Sequence, residues 1–316
     1  MRAIPQTTVR SPIAITGTVL RVSTPVYENE DYEMNDRKAS LLNKLVRAAA
    51  KDSSSIGLIA KRVMARVPVG PGYSPMQQVQ LGILPRPEYA YTAICASETA
   101  VRLGYNEVTW IEFGVAGGAG LLTLEAIKAS VEKALPIRVR IVGFDMGSGL
   151  PAPVDYRDLP HAWKRGFYEM DVPLLKSRLT SADLVIGPIA DTLPIFVAKG
   201  SSDAPIGMIS FDLDYYSSTA EAFKIFESSP DSILPRVFCN MDDVIGSGEV
   251  FSDFTGARLA IREFNALGDS CKLSPCYDFA QFAYERWQEK VMVYHDFRHP
   301  RYPDYVGDDA GGQLPI

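Results

Sequence analysis

Histidine and cysteine are scarce in this chain, which has three of the first and four of the second among 316 residues. The cysteines, Cys95, Cys239, Cys271 and Cys276, are scattered, and none belongs to a CxxC pair. That spacing excludes a thiolate zinc site and offers no disulfide framework. Cys95 and Cys239 lie in apolar runs and read as buried core, so a reduced, cytoplasmic setting is the expectation. Long hydrophobic runs are missing too: none approaches the roughly 18 apolar residues of a membrane span. ITGTVLRV, near the start, is too short and too interrupted for a signal peptide. Nor is there an excess of positive charge. A net charge of -6 argues against nucleic acid or a membrane surface as a general partner, because both attract positive fields.

What is present is the composition of an ordinary globular protein, 47% hydrophobic and 22% charged, in a chain long enough to bury a full core. Residues 1–75 form an N-terminal extension: a β-prone piece (ITGTVLRVS), an acidic stretch (ENEDYEMND) and a helix expected from about Lys38 to Arg66. Leu41, Leu42, Leu45, Val46 and Ala49 recur there at helical spacing. The run PVGPGYSP marks the boundary. The extension is expected to serve as a lid, a substrate contact or an oligomer contact, which leaves homo-oligomerisation open. Residues 76–316 form the main domain.

Within that domain strands alternate with helices. A helix near 87–103 leads into the strand VTWIEF, a glycine-rich turn and the helix LLTLEAIKASVEKA. The strand VRIVGFD, a polar helical region around 157–178 and the strand DLVIG follow. A helix near 191–199 precedes the strand IGMISFD, the helix TAEAFKIFESS and the strand RVFCNMD. After a helix near 256–266 come two β-prone segments, CYDFAQFAYER and KVMVYHDF, suited to an antiparallel edge. Such alternation implies an α/β fold with a mostly parallel sheet covered on both faces. In open sheets of this kind ligands bind beyond the carboxyl ends of the strands, which is where the residues of interest fall.

EFGVAGGAG, residues 112–120, joins a strand to a helix. Gly114, Gly117, Gly118 and Gly120 permit a tight turn and a close backbone approach that a side chain would obstruct. Asp145 ends the next strand, in GFDMGSGLP, where an acid accepts hydrogen bonds from ribose hydroxyls in dinucleotide sites. Nicotinamide-dinucleotide enzymes and methyltransferases share this arrangement. EFGVAGG spaces its first two glycines three apart rather than as GxGxxG, which favours S-adenosylmethionine.

Two further strands end in paired carboxylates: Asp212 and Asp214 in SFDLDYY, Asp242 and Asp243 in CNMDDVIG. Clustered carboxylates repel one another unless a cation or a shared proton intervenes. Oxygen ligands without histidine or thiolate favour magnesium, manganese or calcium.

IEFGVAGGAG, FDMGSGLP, IADTLP, SFDLDYYSST and FCNMDDVIG occur in the order seen in class I S-adenosylmethionine-dependent methyltransferases. More narrowly, the chain resembles the macrocin O-methyltransferase family over roughly 110–250. The resemblance implies a Rossmann-like class I methyltransferase fold with a seven-stranded sheet. It also implies S-adenosylmethionine and Mg2+ as cofactors, and a small hydroxylated metabolite, such as one bearing a sugar, as substrate. By position it makes Asp212, Asp242 and Asp243 metal ligands and Asp214 the general base. The implied donor site comprises Glu112, Gly114, Val115, Ala116, Gly117, Gly118, Asp145, Met146, Ile186, Gly187 and Asp212, with the adenine near Ile186 and Gly187. FDMGSGLP departs from the family's DSFEGLP-like segment, and the N-terminal extension aligns with nothing in it.

His161, in LPHAWKRGFYEM, is an alternative base, whereas His295 and His299 read as structural. Tyr215 and Tyr216 are weighed as pocket or packing residues, and Trp110 as core. Two other functions compete. A nicotinamide-dependent oxidoreductase lacks a clean fingerprint and a Tyr-x-x-x-Lys pair, and a nonenzymatic binding protein would have little use for intact Asp pairs.

Overall fold

In the computed structural model, residues 73–246, 252–280 and 282–307 are described. The helix expected near 38–66 and nearly all of the N-terminal extension lie outside them. Two helices open the described chain: α1 (Pro75–Gln80), capped by the Ser74 side chain, and α2 (Pro87–Arg102). Pro87 begins α2, where its missing N–H costs nothing. The α/β alternation follows as β1 (Glu107–Phe113), α3 (Ala119–Ala134), β2 (Arg138–Asp145), α4 (Val172–Arg178), β3 (Ala182–Ile186) and α5 (Ile189–Lys199). It continues as β4 (Ile206–Phe211), α6 (Tyr216–Ala222), β5 (Ile233–Met241), α7 (Gly256–Ala266), β6 (Cys271–Pro275) and β7 (Val291–Asp296).

The seven strands lie in the order β3-β2-β1-β4-β5-β7-β6, a Rossmann-like arrangement. The sheet is mixed rather than mostly parallel. Pairings among β1 to β5 are parallel, whereas β7 runs antiparallel to both β5 and β6. Strand residues alternate between two cores. Val108, Trp110, Val139 and Ile141 pack against α2 and α3, while Ile111, Phe113, Val142 and Phe144 face α5, α6 and α7. That alternation is the period-two signature of a strand carrying helices on both faces.

Two element boundaries differ from expectation. β6 is CKLSP, and CYDFAQFAYER contains no strand among its described residues. Its phenylalanines serve packing instead: Phe279 and Phe282 lie 5.0 and 5.7 Å from Tyr91 of α2, with Trp287 completing the cluster. The helical region expected over 157–178 reduces to a single 3-10 turn, Tyr156–Asp158, and α4. Leu159, Gly166 and Tyr168 adopt positive φ within it and interrupt any longer helix. Among the described residues no helix is long and apolar enough to cross a membrane.

The chain leaves β1, builds outward through β2 and β3, then crosses back to β4 on the other side of β1. This reversal opens a crevice over the carboxyl ends of β1 and β4.

Candidate active site

The glycine turn is braced from below by an acid. Asp145 Oδ2 accepts hydrogen bonds from the Val115 and Ala116 amides, both at 2.9 Å, and its Oδ1 accepts from Gly147 at 2.6 Å. Ala116 has φ +46°, an uncommon conformation for a residue with a side chain, and the Asp145 carboxylate holds it. Oδ2 is saturated by these two amides, whereas Oδ1 retains a second lone pair. Gly114 is required for close approach: at φ +86° a Cβ there would collide with the backbone carbonyl oxygen of Asp212. Gly117 lines the cavity with open space beside it, and Gly118 begins α3 against Leu175.

Glu112 lies beneath the turn and is almost wholly buried. The Tyr89 hydroxyl donates to its Oε1 at 2.8 Å, and its Oε2 has no partner. Burial pushes the Glu112 carboxyl up to about 7. A side chain at Gly120 would occupy the space this carboxyl fills.

The paired aspartates converge as their strands predict. Phe211 at the end of β4 pairs with Met241 at the end of β5, which sets the two acidic segments side by side. Oxygens of Asp212, Asp242 and Asp243 come within 4.8 Å of one another. Asp243 Oδ2 accepts from the Leu213 and Asp214 amides at 3.1 and 2.8 Å. Lys290 Nζ stands 2.6 Å from Asp242 Oδ1. Burial, then the Asp243 and Asp242 charges, raises Asp214 to about 7 and places Asp212 well above the carboxylate range. Burial raises Asp243 to about 6 against the pull of the Asp214 amide. A carboxylate set this frustrated suits a divalent cation, and its all-oxygen character suits a hard one.

One cavity of about 630 Å³ joins turn and cluster. Its lining includes Glu112, Gly114, Val115, Ala116, Gly117, Asp145, Met146, Gly187, Asp212, Asp214, Asp242 and Asp243. Ile186 and Gly118 border this region but do not line it; Ile186 lies beside Gly147 and is exposed.

Several lining residues escaped the sequence reading: Arg86, Trp163, Tyr168 and Ser217. Arg86 has φ +46° and places its guanidinium 4.9 Å from the Tyr89 ring. Only its flanking prolines hinted at an unusual backbone. Tyr168, at φ +62°, lies 6.1 Å from the Trp163 ring. Desolvation, then the charges of Asp214, Asp212 and Asp243, holds its hydroxyl above the ordinary value.

His161 belongs to the same segment but is exposed and does not line the cavity. His299 is buried, with Nε2 2.7 Å from the Pro230 carbonyl oxygen, and His295 Nδ1 lies 2.9 Å from the Tyr302 hydroxyl. Tyr215 is fully buried and donates to the Pro151 carbonyl, and Tyr216 donates to Glu263. Both tyrosines are therefore packing residues. Trp110 and Cys239 are core, while Cys95 is only partly buried against it.

No protein-family model matches the sequence, and no curated protein matches it. Solved structures resemble the fold. The calicheamicin methyltransferase CalS11 aligns at 20% identity and a TM-score of 0.45, over 91% of this chain and 100% of that one. TomG, the O-methyltransferase of Streptomyces achromogenes involved in tomaymycin synthesis, solved in complex with SAM, aligns at 14% identity and 0.37, over 74% and 93%. The O-methyltransferase from Bacillus cereus in complex with SAH aligns at 13% identity and 0.37, over 75% and 96%.

Proposed function

We propose that this chain is an S-adenosylmethionine-dependent, magnesium-dependent O-methyltransferase acting on a hydroxyl of a small metabolite such as a sugar. One observation carries the reading: a single cavity is lined both by the glycine turn braced on Asp145 and by the Asp212, Asp242 and Asp243 cluster. A dinucleotide oxidoreductase needs the first of these features and has no use for the second.

S-adenosylmethionine, when bound, supplies a methyl group activated by its sulfonium. The open backbone from Gly114 to Gly117 would receive the amino-acid end of the donor, and the remaining lone pair of Asp145 Oδ1 would receive the ribose. The adenine would lie toward Met146 and Gly187, both of which line the cavity. Asp212, Asp242 and Asp243 would hold magnesium, which lowers the proton affinity of an acceptor hydroxyl. Asp214, in the same cavity, takes the proton as general base. The cavity walls hold donor and acceptor in line, which replaces a bimolecular encounter by an oriented one.

Calorimetry with S-adenosylmethionine, S-adenosylhomocysteine and NAD, each with and without Mg2+, tests this reading. Either adenosyl compound is expected to bind and NAD is not. Binding of NAD by folded protein that ignores both adenosyl compounds would sink the proposal.

A further inference from the structure

β5 and β7 pair antiparallel with Asn240 opposite Val291. This register sets Lys290, one residue before β7, beside the acidic residues that follow β5. Its ammonium lies 2.6 Å from Asp242 Oδ1, with the lysine side chain 21% and the aspartate side chain 31% exposed. Lys290 does not line the cavity, whereas Asp242 does. The lysine therefore reaches the carboxylate from outside and occupies one of its two oxygens. Asp243 is engaged similarly, because its Oδ2 accepts from both Leu213 and Asp214 amides.

Occupied oxygens restrict how a carboxylate can bind a cation. Calcium takes about 6–8 oxygens in flexible geometry, often with a carboxylate giving both of its oxygens. Magnesium demands near-octahedral geometry, keeps several waters and takes single oxygens from one or two carboxylates. For Asp242 to grip a cation with both oxygens, that cation would have to share Oδ1 with an ammonium, and the two positive charges would repel.

We propose that Lys290 is a specificity-determining, positioning residue: by holding Asp242 Oδ1 it makes Asp242 a single-oxygen ligand and biases the cluster toward small octahedral cations over calcium. The Leu213 and Asp214 amides act on Asp243 in the same sense. The inference rests on the reading that the cluster holds a divalent cation, and it adds which residue outside the cavity selects that cation.

The test is a calorimetric titration with Mg2+, Mn2+ and Ca2+, each alone, on the full chain and on Lys290→Met and Lys290→Arg. Removing one positive charge strengthens the binding of every divalent ion alike, so the ratio of affinities isolates the effect of ligand geometry. The Ca2+ to Mg2+ affinity ratio is expected to rise about tenfold in Lys290→Met, an effect of the same order as the influence outer partners of metal ligands have on affinity. Lys290→Arg is expected to keep the ratio of the unaltered protein. Lys290→Ala carries the same expectation as the methionine variant and replaces it if that variant does not fold. An unchanged ratio in a neutral variant that still binds Mg2+ overturns the proposal. Failure of the unaltered protein to bind any of the three ions overturns it together with the metal site. S-adenosylhomocysteine binding in the same samples keeps the donor site separate: its survival leaves methyl transfer standing.

Discussion

Asp214 combines a φ of +59° with a carboxyl raised to about 7. Asp and Asn tolerate the left-handed region better than other residues with side chains, so Asp214→Asn preserves both shape and backbone. It removes only the proton acceptor. Donor and metal binding are expected to stay nearly unchanged, with turnover falling by about 100- to 10,000-fold, the range for a lost general base. Calorimetry of both ligands beside single-turnover methylation, once an acceptor is in hand, checks this. A comparable loss of metal affinity would place Asp214 among the ligands instead. The carboxylate two residues earlier sits differently, since Asp212 joins Asp242 and Asp243 in the cluster and Asp214 does not.

At the scale of elements, two contacts position the site. The turn after β1 presses on the end of β4, with Gly114 against the Asp212 carbonyl. Gly114→Ala must move one of these backbones, and overpacking of this kind costs about 1–3 kcal/mol. Because the displaced backbone carries Asp212, metal affinity is expected to fall along with stability. Thermal unfolding and Mg2+ titration read the two effects, and a variant as stable as the parent would refute the close approach. The second contact ties the segment after β2 to α6. Asp158, fully buried, accepts from the Val154 amide and from both the amide and the hydroxyl of Ser217, each at 2.8 Å. Asp158→Ala leaves those donors without their acceptor and is expected to cost about 2–3 kcal/mol, as for hydrogen bonds to charged groups. Denaturant unfolding measures it. Ser217 lines the cavity, so this tie carries the loop's position into the site.

For the molecule as a whole, the raised carboxyls make stability depend on pH and cation together. Asp214 and Glu112 near 7 and Asp243 near 6 all lie above their unfolded values. The folded, metal-free protein therefore holds more protons than the unfolded chain between about pH 4 and 7. By linkage, the contribution of these groups to stability declines as pH rises through that window. A divalent cation requires the ionised forms, so it is expected to stabilise the protein more at pH 8 than at pH 5. Melting temperatures across this range, with chelator and with Mg2+, should diverge as pH rises. In chelator, Asp214→Asn should show a shallower decline than the parent. Parallel curves with and without Mg2+ would argue that the cluster takes no cation.

Local rules made much of this protein legible in its sequence. Short apolar runs separated by turns and helices defined β1, β2, β4 and β5, because a strand buried on both faces reads as a near-continuous hydrophobic run. Glycines between a strand and a helix marked the turn, since only backbone freedom and close approach require them there. Two Asp pairs at strand ends announced a shared site, because parallel neighbouring strands bring their carboxyl ends together. Other features depended on which distant segments meet. Aromatics in 276–286 have strand propensity, yet Phe279 and Phe282 pack on Tyr91 and the edge strand forms at Cys271–Pro275. Arg86 and Tyr168 reach the cavity through positive-φ backbone that no pattern of side chains specifies, and Trp163 lines it beside Tyr168. Lys290 meets Asp242 only because β7 runs antiparallel to β5 in one register, 48 residues further along the chain. Interactions between near neighbours set the elements and the chemistry at their ends, so both could be read along the chain. Which side chains brace and line the cavity was settled only in three dimensions, because those contacts arise from packing between segments far apart in the sequence.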